Sequence, residues 1–237
     1  MESLAFSEEA RLVLEEFFQL KSGLLLLTGP AGSGKTTTIY AGLRHLAEQG
    51  GKHIITVEDP VEQIVKGVMQ TEINEARGLT FAKAARHLMR QDPEVLVIGE
   101  VRDDETAQIA VRAALTGHLV ISTLHAGTCQ GVLERLMLMC PDNYAVLSSL
   151  SLVANQRLVR QLCQGCEGKG CEDCLETGYK ERTPLLEWAA LDDEVRERIR
   201  KNGAAELKPT KSMREFAEEL VKLKVTDKAE LDRTLGS

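Results

Sequence analysis

The stretch Gly29-Pro-Ala-Gly-Ser-Gly-Lys-Thr36 has the pattern G-x-x-x-x-G-K-[ST] at every fixed position. Its glycines allow consecutive backbone N–H groups to turn toward phosphate oxygens, and the N-terminus of a following helix favours negative charge. We expect Lys35 to reach the β- and γ-phosphates of a nucleoside triphosphate, and Thr36 to bind Mg²⁺. The candidate nucleotide-binding residues are Gly29, Pro30, Ala31, Gly32, Ser33, Gly34, Lys35, Thr36 and Thr37.

The residues on either side of this loop predict the strand and the helix that the motif requires. Residues 24–27 are all leucine and lie between Gly23 and Gly29, which is typical of a buried strand. Residues 36–49 predict a helix. The alternative interpretation is a glycine-rich turn that binds nothing. The order of strand, loop and helix favours phosphate binding over that alternative.

The composition predicts a globular protein whose partners are other proteins. The chain has 237 residues, of which 43% are hydrophobic, with 29 basic and 36 acidic side chains and a net charge of −7. This charge argues against a general nucleic-acid binder. No apolar run approaches the roughly 18 residues that a membrane span needs, and residues 1–21 are too acidic for a signal peptide. We therefore expect a cytoplasmic protein without membrane insertion.

Acidic residues follow two further predicted strands. Residues 53–57 predict a strand that ends at Glu58, and residues 95–98 predict a strand followed closely by Glu100. In a doubly wound sheet the carboxyl ends of the strands face the ligand crevice, so both residues are candidate catalytic groups. Glu58 begins the run Glu-Asp-Pro, however, which is equally ordinary turn chemistry. Glu100 could hold Mg²⁺ through water or could orient the attacking water, and the sequence leaves both roles open.

A histidine follows a third predicted strand. Residues 119–122 predict a buried strand that stops just before Thr123-Leu-His125. A lone histidine more often has a structural role, but His125 shares the predicted sheet edge with Glu58 and Glu100 and is therefore a candidate catalytic residue. Helices are predicted over residues 7–19, 80–91, 103–115, 132–139 and 144–161.

Four of the six cysteines are crowded into one short segment. Cys163, Cys166, Cys171 and Cys174 form two Cys-x-x-Cys pairs joined by a short glycine-containing loop, a spacing that suits tetrahedral Zn²⁺. A site with four thiolates has no open position, so this zinc is expected to be structural. Residues 191–237 are charged and predict helices. The predicted division is a core at 1–160, a zinc-binding knuckle at 161–183 and a C-terminal helical subdomain at 184–237.

Three further motifs complete the pattern. They are Thr56-Val-Glu-Asp-Pro-Val-Glu62, then Gly99-Glu-Val-Arg-Asp103 after Leu88-Met-Arg-Gln-Asp-Pro93, and Thr116-Gly-His-Leu-Val120 with Ser122-Thr-Leu-His125. With the phosphate loop and the cysteines, they resemble the acidic box, Walker B region and histidine box of the type II secretion and type IV pilus assembly ATPases. That resemblance covers the chain from about residue 21 onward.

The resemblance implies an α/β fold with a RecA-like P-loop core, a mostly parallel sheet flanked by helices, a small zinc-binding knuckle and a C-terminal helical subdomain. It implies that Glu58 polarises the attacking water, that Glu100 is the Walker B carboxylate and that His125 senses the γ-phosphate. The implied cofactors are ATP, Mg²⁺ and structural Zn²⁺. The implied partners are other copies in a hexamer and an inner-membrane platform protein, with peripheral contact at the inner membrane and no nucleic acid.

The sequence also departs from that family. The family has a separate domain before its core that contributes arginines to the nucleotide, whereas only residues 1–20 precede the core here, so we expect that domain to be absent. The run Ala126-Gly-Thr-Cys-Gln130 stands where the family usually has Thr-Asn-Asp, and Glu181 and Pro184 replace glycines.

Three functions remain open at this level. The first is a motor that hydrolyses Mg·ATP to power pilus or pseudopilus assembly or type II secretion. The second is a catalytically weak regulatory or scaffold subunit that binds nucleotide, either as a truncated paralogue or as an excised domain. The third, a nucleic-acid translocase, is disfavoured by the net charge of −7 and by the lack of a basic stripe interleaved with aromatic residues.

Overall fold

A computed structural model describes residues 5–236. Its centre is a seven-stranded sheet in the order β3-β2-β4-β5-β1-β6-β7, in which only β7 runs antiparallel to its neighbour. The strands are β1 (Gly23–Thr28), β2 (Ile54–Glu58), β3 (Val68–Glu72), β4 (Val95–Ile98), β5 (Leu119–Thr123), β6 (Leu150–Leu162) and β7 (Tyr179–Ala190).

Helices cover both faces of this sheet. The helices are α1 (Glu8–Gln19), α2 (Lys35–Gln49), α3 (Phe81–Leu88), α4 (Asp104–Leu115), α5 (Cys129–Met139), α6 (Asn143–Ser149), α7 (Asp193–Asn202), α8 (Met213–Lys222) and α9 (Lys228–Leu235). Short 3₁₀ turns occupy Glu75–Arg77, Met89–Gln91, Glu172–Cys174 and Ala204–Glu206. A mostly parallel sheet between helical layers confirms the predicted α/β fold.

The leucine run of β1 shows why this strand is apolar throughout. Leu24 and Leu26 pack into a core with α3, α4, α5 and α6, whereas Leu25 and Leu27 pack into a second core with α1, α2 and α8. Successive side chains of a strand point to opposite faces, so a strand with helices on both sides needs apolar residues at every position. The predicted strand at 24–27 is thereby confirmed.

Most predicted elements are confirmed within a few residues. The strand predicted at 95–98 is β4, and the helices predicted at 7–19, 36–49, 103–115 and 132–139 correspond to α1, α2, α4 and α5. Side-chain caps fix two of the helix starts, since Ser7 Oγ accepts from Ala10 N at 3.2 Å and Asp103 Oδ1 accepts from Thr106 N at 2.8 Å. Local capping chemistry therefore set these boundaries.

The helix predicted over residues 144–161 is wrong. Only Asn143–Ser149 is helical, and Leu150–Leu162 forms β6, which pairs with β1 on one side and β7 on the other. Leu152 and Ala154 enter one core and Val153 the other, so burial on both faces removed the alternation that marks a strand. Strand β3 was also missed in the sequence, because it is an edge strand with exposed and half-buried residues.

The predicted domain boundaries cut through two paired strands. Strand β6 continues past residue 160 to Leu162, and β7 begins at Tyr179, before residue 184, and pairs with β6. The cysteine segment is therefore an excursion between neighbouring strands of the main sheet. Helix α8, in the predicted C-terminal subdomain, packs on that sheet as well, since the rings of Phe216 and Trp188 lie 5.1 Å apart.

Within residues 5–236, no helix combines the length and the apolar character that a membrane crossing requires.

A buried carboxylate attaches α9 to β6. Glu230 is 0% exposed and accepts hydrogen bonds from Arg160 N at 2.9 Å, Arg160 Nε at 2.8 Å and Arg233 Nε at 2.7 Å. Burial disfavours the charged form, but the bonds from Arg233 and Arg160 outweigh it and lower the pKa of Glu230 to about 2. The two arginines thus hold this carboxylate in its ionised form.

The first prediction concerns Glu230→Gln, which removes the charge but keeps the shape. Because the folded pKa lies below the ordinary 4.5, the stabilisation is present above about pH 4.5 and is lost as the pH falls toward 2. We expect the variant to lose about 2 kcal/mol of unfolding free energy near pH 7, less than for a fully dry pair because both arginines reach solvent. Urea unfolding at several pH values measures this difference, which should shrink below about pH 4.

Glu197→Gln on α7 is the control, since Glu197 lies at the surface and pairs with Lys201 and Arg200 of the same helix. A Glu230→Gln variant as stable as wild type at neutral pH would contradict the argument.

Candidate nucleotide site

The phosphate loop connects β1 to α2, and its glycines are required by close packing. Gly29 has φ 138°, and a Cβ there would lie 2.2 Å from the carbonyl oxygen of Gln156. Gly34 caps α2 with φ 86°, and a Cβ there would lie 2.9 Å from Gln156 Nε2. Both positions exclude side chains for conformational and steric reasons. The loop is therefore tightly packed against Gln156 on β6.

The lysine of the loop is bound to the loop itself. Lys35 Nζ donates to Gly29 O at 2.9 Å and to Pro30 O at 3.0 Å. Burial lowers the pKa of Lys35, the carboxylate of Glu100 opposes that effect, and the guanidinium of Arg157 adds to it. The ammonium group thus has both Glu100 and Arg157 as charged neighbours. Phosphate oxygens bound nearby would stabilise its positive charge.

Ser33 adds a second sign that the loop fits an anion. Its side chain is 3% exposed, and its Oγ has no hydrogen-bond partner among residues 5–236. A buried hydroxyl without a partner costs free energy unless a ligand or water satisfies it. The donor groups of this loop therefore match the chemistry of a phosphate chain.

Glu58 lies at the carboxyl end of β2 and is held from three directions. It is 7% exposed and accepts hydrogen bonds from Tyr40 Oη, from Thr56 Oγ1 and from Gln70 Nε2, the last at 3.0 Å. Thr56 and Gln70 both donate to Oε1, whereas Tyr40 donates to Oε2. A carboxylate can accept about four hydrogen bonds, so Oε2 keeps one acceptor position.

Tyr40, on α2, is a site residue that the sequence analysis missed. Besides donating to Glu58, its hydroxyl oxygen accepts from Glu62 N at 3.1 Å and from Gln63 N at 3.2 Å. Burial raises the pKa of Tyr40, and the hydrogen bond to Glu58 raises it further, so the phenol stays a donor. Tyr40 therefore joins the catalytic carboxylate candidate to the loop after β2. No local motif marks it.

Glu100 lies at the end of β4 beside a histidine and an arginine. Glu100 Oε1 accepts from Arg102 Nη2, and Glu100 Oε2 is 3.7 Å from His125 Nε2. Arg102 also lies 3.3 Å from Asp59 Oδ2, and its guanidinium stacks over the ring of Phe81 at 5.6 Å. The hydrogen bond with Glu100 raises the pKa of Arg102. Two carboxylates therefore already neutralise this arginine.

The structure brings part of the predicted site residues together in one cleft of 270 Å³, at the carboxyl ends of β2, β4 and β5, whereas Gly29, Pro30, Ser33, Gly34 and Thr37 do not line it. Their common edge follows from parallel pairing, which sends the carboxyl end of every strand in the same direction. The predicted residues that line this cleft are Ala31, Gly32, Lys35, Thr36, Glu58, Glu100 and His125.

A second cleft, of 580 Å³, lies on the other flank of the phosphate loop. Residues 30–33 of the loop form one wall, and β6, β7 and α9 contribute the rest. The sequence analysis missed this surface because its charges come from three separate elements. Its arginines are Arg157, Arg160, Arg182 and Arg233.

The four cysteines predicted to bind zinc form a cluster with all sulfur atoms within 4.8 Å of one another. Cys163 Sγ is 3.8 Å from Cys171 Sγ, and Cys166 Sγ is 3.7 Å from Cys174 Sγ. Four sulfurs at about 2.3 Å from a tetrahedral Zn²⁺ would lie about 3.8 Å apart. The cluster therefore has the dimensions of a tetrahedral thiolate site.

The fold and the site together define an α/β protein with a RecA-like core, in which a phosphate loop follows β1 and acidic groups follow β2 and β4 at the same sheet edge. A profile described as "Type II/IV secretion system protein" matches residues 1–233. The chain belongs to this family.

Relatives agree with that assignment. "Type II secretion system protein E" of Pseudomonas aeruginosa is 39% identical over 239 residues, covering 90% of this chain and 47% of the relative. "Type II secretion system ATPase E" of Vibrio cholerae is 43% identical over 202 residues, covering 75% of this chain and 40% of the relative. The chain thus spans less than half the length of these two relatives.

Solved structures have the same architecture. The "Pilus Retraction Motor PilT and Bound ADP" superposes with a TM-score of 0.81 at 31% identity, covering 97% of this chain and 64% of that one. The Legionella pneumophila ATPase DotB has a TM-score of 0.77 at 22% identity, covering 98% of this chain and 64% of that chain, which supports the fold alone.

The second prediction tests the contact between Tyr40 and Glu58. Tyr40→Phe removes one donor from Glu58 and leaves the N–H groups of Glu62 and Gln63 without their acceptor. We expect a loss of about 1–2 kcal/mol in unfolding free energy and faster amide exchange at residues 62 and 63. Chemical denaturation and hydrogen exchange measure these effects.

Tyr144→Phe is the matched control, because Tyr144 is 68% exposed and stacks only its ring against Arg200. Unchanged exchange at residues 62 and 63 in Tyr40→Phe would show that the hydroxyl does not hold this loop.

Proposed function

We propose that this chain binds Mg·ATP in the cleft beside the phosphate loop and hydrolyses it as the ATPase core of a type II secretion or pilus-assembly motor. The observation that carries the proposal is the convergence of Lys35, Thr36, Glu58, Glu100 and His125 on a single cleft. Membership of the secretion family and the likeness to a pilus motor bound to ADP support it.

The residues of the loop fit the phosphates of ATP. Lys35 now donates to two loop carbonyls and would exchange them for β- and γ-phosphate oxygens. The exposed Thr36 hydroxyl and Glu100 are the groups placed to hold Mg²⁺, directly or through water. When bound, Mg²⁺ would neutralise the negative charge that develops on the phosphates.

Glu58 is the residue placed to orient the attacking water. Its carboxylate is fixed by Tyr40, Thr56 and Gln70, yet it keeps an acceptor position on Oε2 and borders the cleft. A carboxylate whose direction is set before the reaction can position water without reorganisation. This arrangement supports Glu58 as the water-orienting group and Glu100 as the metal-side carboxylate.

His125 is placed to respond to the γ-phosphate. Its Nε2 lies 3.7 Å from Glu100 Oε2, and its backbone carbonyl accepts from Arg135 Nη1 at 3.0 Å. The imidazole therefore sits where a change at the metal and γ-phosphate would alter its contact with Glu100. This geometry supports the sensor role for His125.

Among the described residues no arginine lines the cleft that holds Lys35 and Glu100, and the four arginines beside the phosphate loop line the cleft on its other flank. Arg102 lies next to the first cleft, but Glu100 and Asp59 already engage it. Phosphoryl transfer is accelerated by a free cation on the γ-phosphate. This observation supports a ring in which a neighbouring subunit completes the site, and it also supports the alternative that this chain alone is a catalytically weak nucleotide-binding subunit.

The third prediction separates nucleotide binding from hydrolysis. Lys35→Ala should abolish binding of a fluorescent ATP analogue, since it removes the charged contact to the phosphates. Glu100→Gln should keep the nucleotide bound but block phosphate release, because the phosphate contacts remain while the charge at the metal is lost. Fluorescence titration and a phosphate-release assay at high protein concentration measure both.

Lys66→Ala is the control for charge removal, because Lys66 is an exposed lysine that does not line the cleft. If Lys35→Ala bound the analogue with wild-type affinity, the proposed site would be wrong.

We also propose that Cys163, Cys166, Cys171 and Cys174 hold a structural Zn²⁺. Three of the sulfur pairs lie 3.7 to 3.8 Å apart and all four sulfurs lie within 4.8 Å of one another, which supports a four-thiolate site. Backbone N–H groups of Cys171 and Gly178 donate to Cys174 Sγ at 3.2 Å and 3.3 Å. Such donors stabilise a thiolate that binds metal. The metal would stabilise the connection between β6 and β7, not the chemistry of the cleft.

The fourth prediction is that protein purified under reducing conditions carries a single Zn²⁺ per chain, and that Cys166→Ser loses it. Chelation should speed amide exchange in residues 163–178 before it affects the phosphate loop, because the metal crosslinks only that excursion. Elemental analysis and hydrogen exchange measure both.

Cys140→Ser, at a buried thiol outside the cluster, should keep its metal and serves as the control. Metal-free wild-type protein would refute the zinc proposal.

A further inference from the structure

Gln156 on β6 contacts the phosphate loop through both ends of its side-chain amide. It is 1% exposed, its Nε2 donates to Ser33 O at 2.8 Å, and its Oε1 accepts from Thr38 Oγ1 at 2.8 Å. The first contact fixes the loop and the second fixes the start of α2. Both bonds are buried, so each would cost free energy if one partner were removed.

The contact with Ser33 controls the direction of a backbone donor. In a planar trans peptide the carbonyl of one residue and the N–H of the next point in opposite directions. When Gln156 holds the Ser33 carbonyl, it therefore also holds the Gly34 N–H pointing away from Gln156. Gly34 has φ 86°, and because glycine adopts positive and negative φ about equally, its own backbone does little to fix this orientation.

The loop is shaped to fit Gln156. The two glycines whose Cβ positions are blocked, Gly29 and Gly34, meet the backbone oxygen and the side-chain nitrogen of Gln156, respectively. Strand β6 is a firm support, because it lies between β1 and β7, and Thr28 pairs in register with Asn155. Gly29, the first residue of the loop, thus lies beside Gln156.

The residue before Gln156 on β6 contacts a different loop. Asn155 Nδ2 donates to Gly127 O at 3.0 Å and to Glu187 Oε1 at 3.3 Å. This contact fixes the loop that follows His125, whereas Gln156 fixes the phosphate loop. Gln156 itself does not line the cleft that holds Lys35 and Glu100.

We propose that Gln156 is a positioning residue for nucleotide binding, which acts by keeping the Ser33 carbonyl turned away so that the backbone N–H groups of the phosphate loop stay available to phosphates. The proposal rests on the proposed nucleotide site. It concerns the phosphate chain and not the base, because the contacts of Gln156 are with Ser33 and Thr38. Gln156 acts through the loop and does not itself contact the ligand.

The fifth prediction uses Gln156→Met, which keeps the length of the side chain and removes both hydrogen bonds. We expect Mg·ADP and inorganic pyrophosphate to bind about tenfold more weakly, because the loss of one hydrogen bond of ordinary strength changes an equilibrium constant by about that factor. Amide exchange at Gly34 should be faster in the ligand-free variant. Calorimetric titration and hydrogen exchange followed by mass spectrometry measure these changes.

Thr183→Val is the control for a merely structural loss. Thr183 is 4% exposed on β7, and its hydroxyl donates a partly buried hydrogen bond to Ala5 O at 3.0 Å, so the variant also loses stability. Its affinity for Mg·ADP and pyrophosphate should stay within twofold of wild type. If both variants lose affinity in proportion to their loss of thermal stability, Gln156 is structural and the proposal is wrong.

A second variant, Gln156→Asn, and the amide exchange of Gly34 keep the proposal testable if Gln156→Met does not fold or wild type does not bind Mg·ADP. Gln156→Asn is one methylene shorter and still polar, so it tests the same bonds if Gln156→Met does not fold. Affinity within twofold of wild type in either folded variant would overturn the proposal. If wild-type protein does not bind Mg·ADP, the proposed function fails. Gly34 exchange then still decides whether Gln156 restrains the loop.

Discussion

Parallel pairing of β1 between β5 and β6 is the constraint on which the rest of this structure depends. It places the phosphate loop, which follows β1, beside the end of β5 and against the middle of β6. Because β4 pairs with β5, and β2 with β4, the acidic residues that end those strands reach the same edge. The order and direction of the strands thus bring together site residues that are as far apart in sequence as 29 and 125.

The two carboxylates of this site have different surroundings. Glu58 is held by the uncharged donors Tyr40, Thr56 and Gln70, whereas Glu100 is held by Arg102 and lies near His125. The two carboxylates can therefore have different tasks although both border the same cleft, because their surroundings differ. Neutral donors fix the direction of Glu58, and charged neighbours make the contacts of Glu100 sensitive to added metal or phosphate.

Strand β6 links three parts of the molecule. Asn155 contacts the loop after His125, Gln156 contacts the phosphate loop, and Arg160 binds the buried Glu230 of α9. The strand then ends at Leu162, directly before the first cysteine of the cluster. Beyond Asn155 the strand pairs with β7 alone, so β7 supports the part of β6 that leads to the cysteines. Arg160 also stacks on Tyr179 at 4.0 Å, which adds a side-chain contact between β6 and β7.

The sequence by itself determined the local features of this protein. The glycines of the loop, the helix caps and the cysteine spacing are chemical requirements met within a few residues, so residues 29–36 and Cys163 to Cys174 could be recognised without a fold. The four leucines of β1 likewise predicted a buried strand. Only the tertiary structure decided what contacts these segments. Gln156 meets Ser33 across 123 positions and Thr38 across 118, and Tyr40 meets Glu58 across 18. Strand pairing creates such contacts, and they leave no periodic signal along the chain. The same cause explains the wrong helix at 144–161, since β6 is covered on both faces and its alternation is hidden.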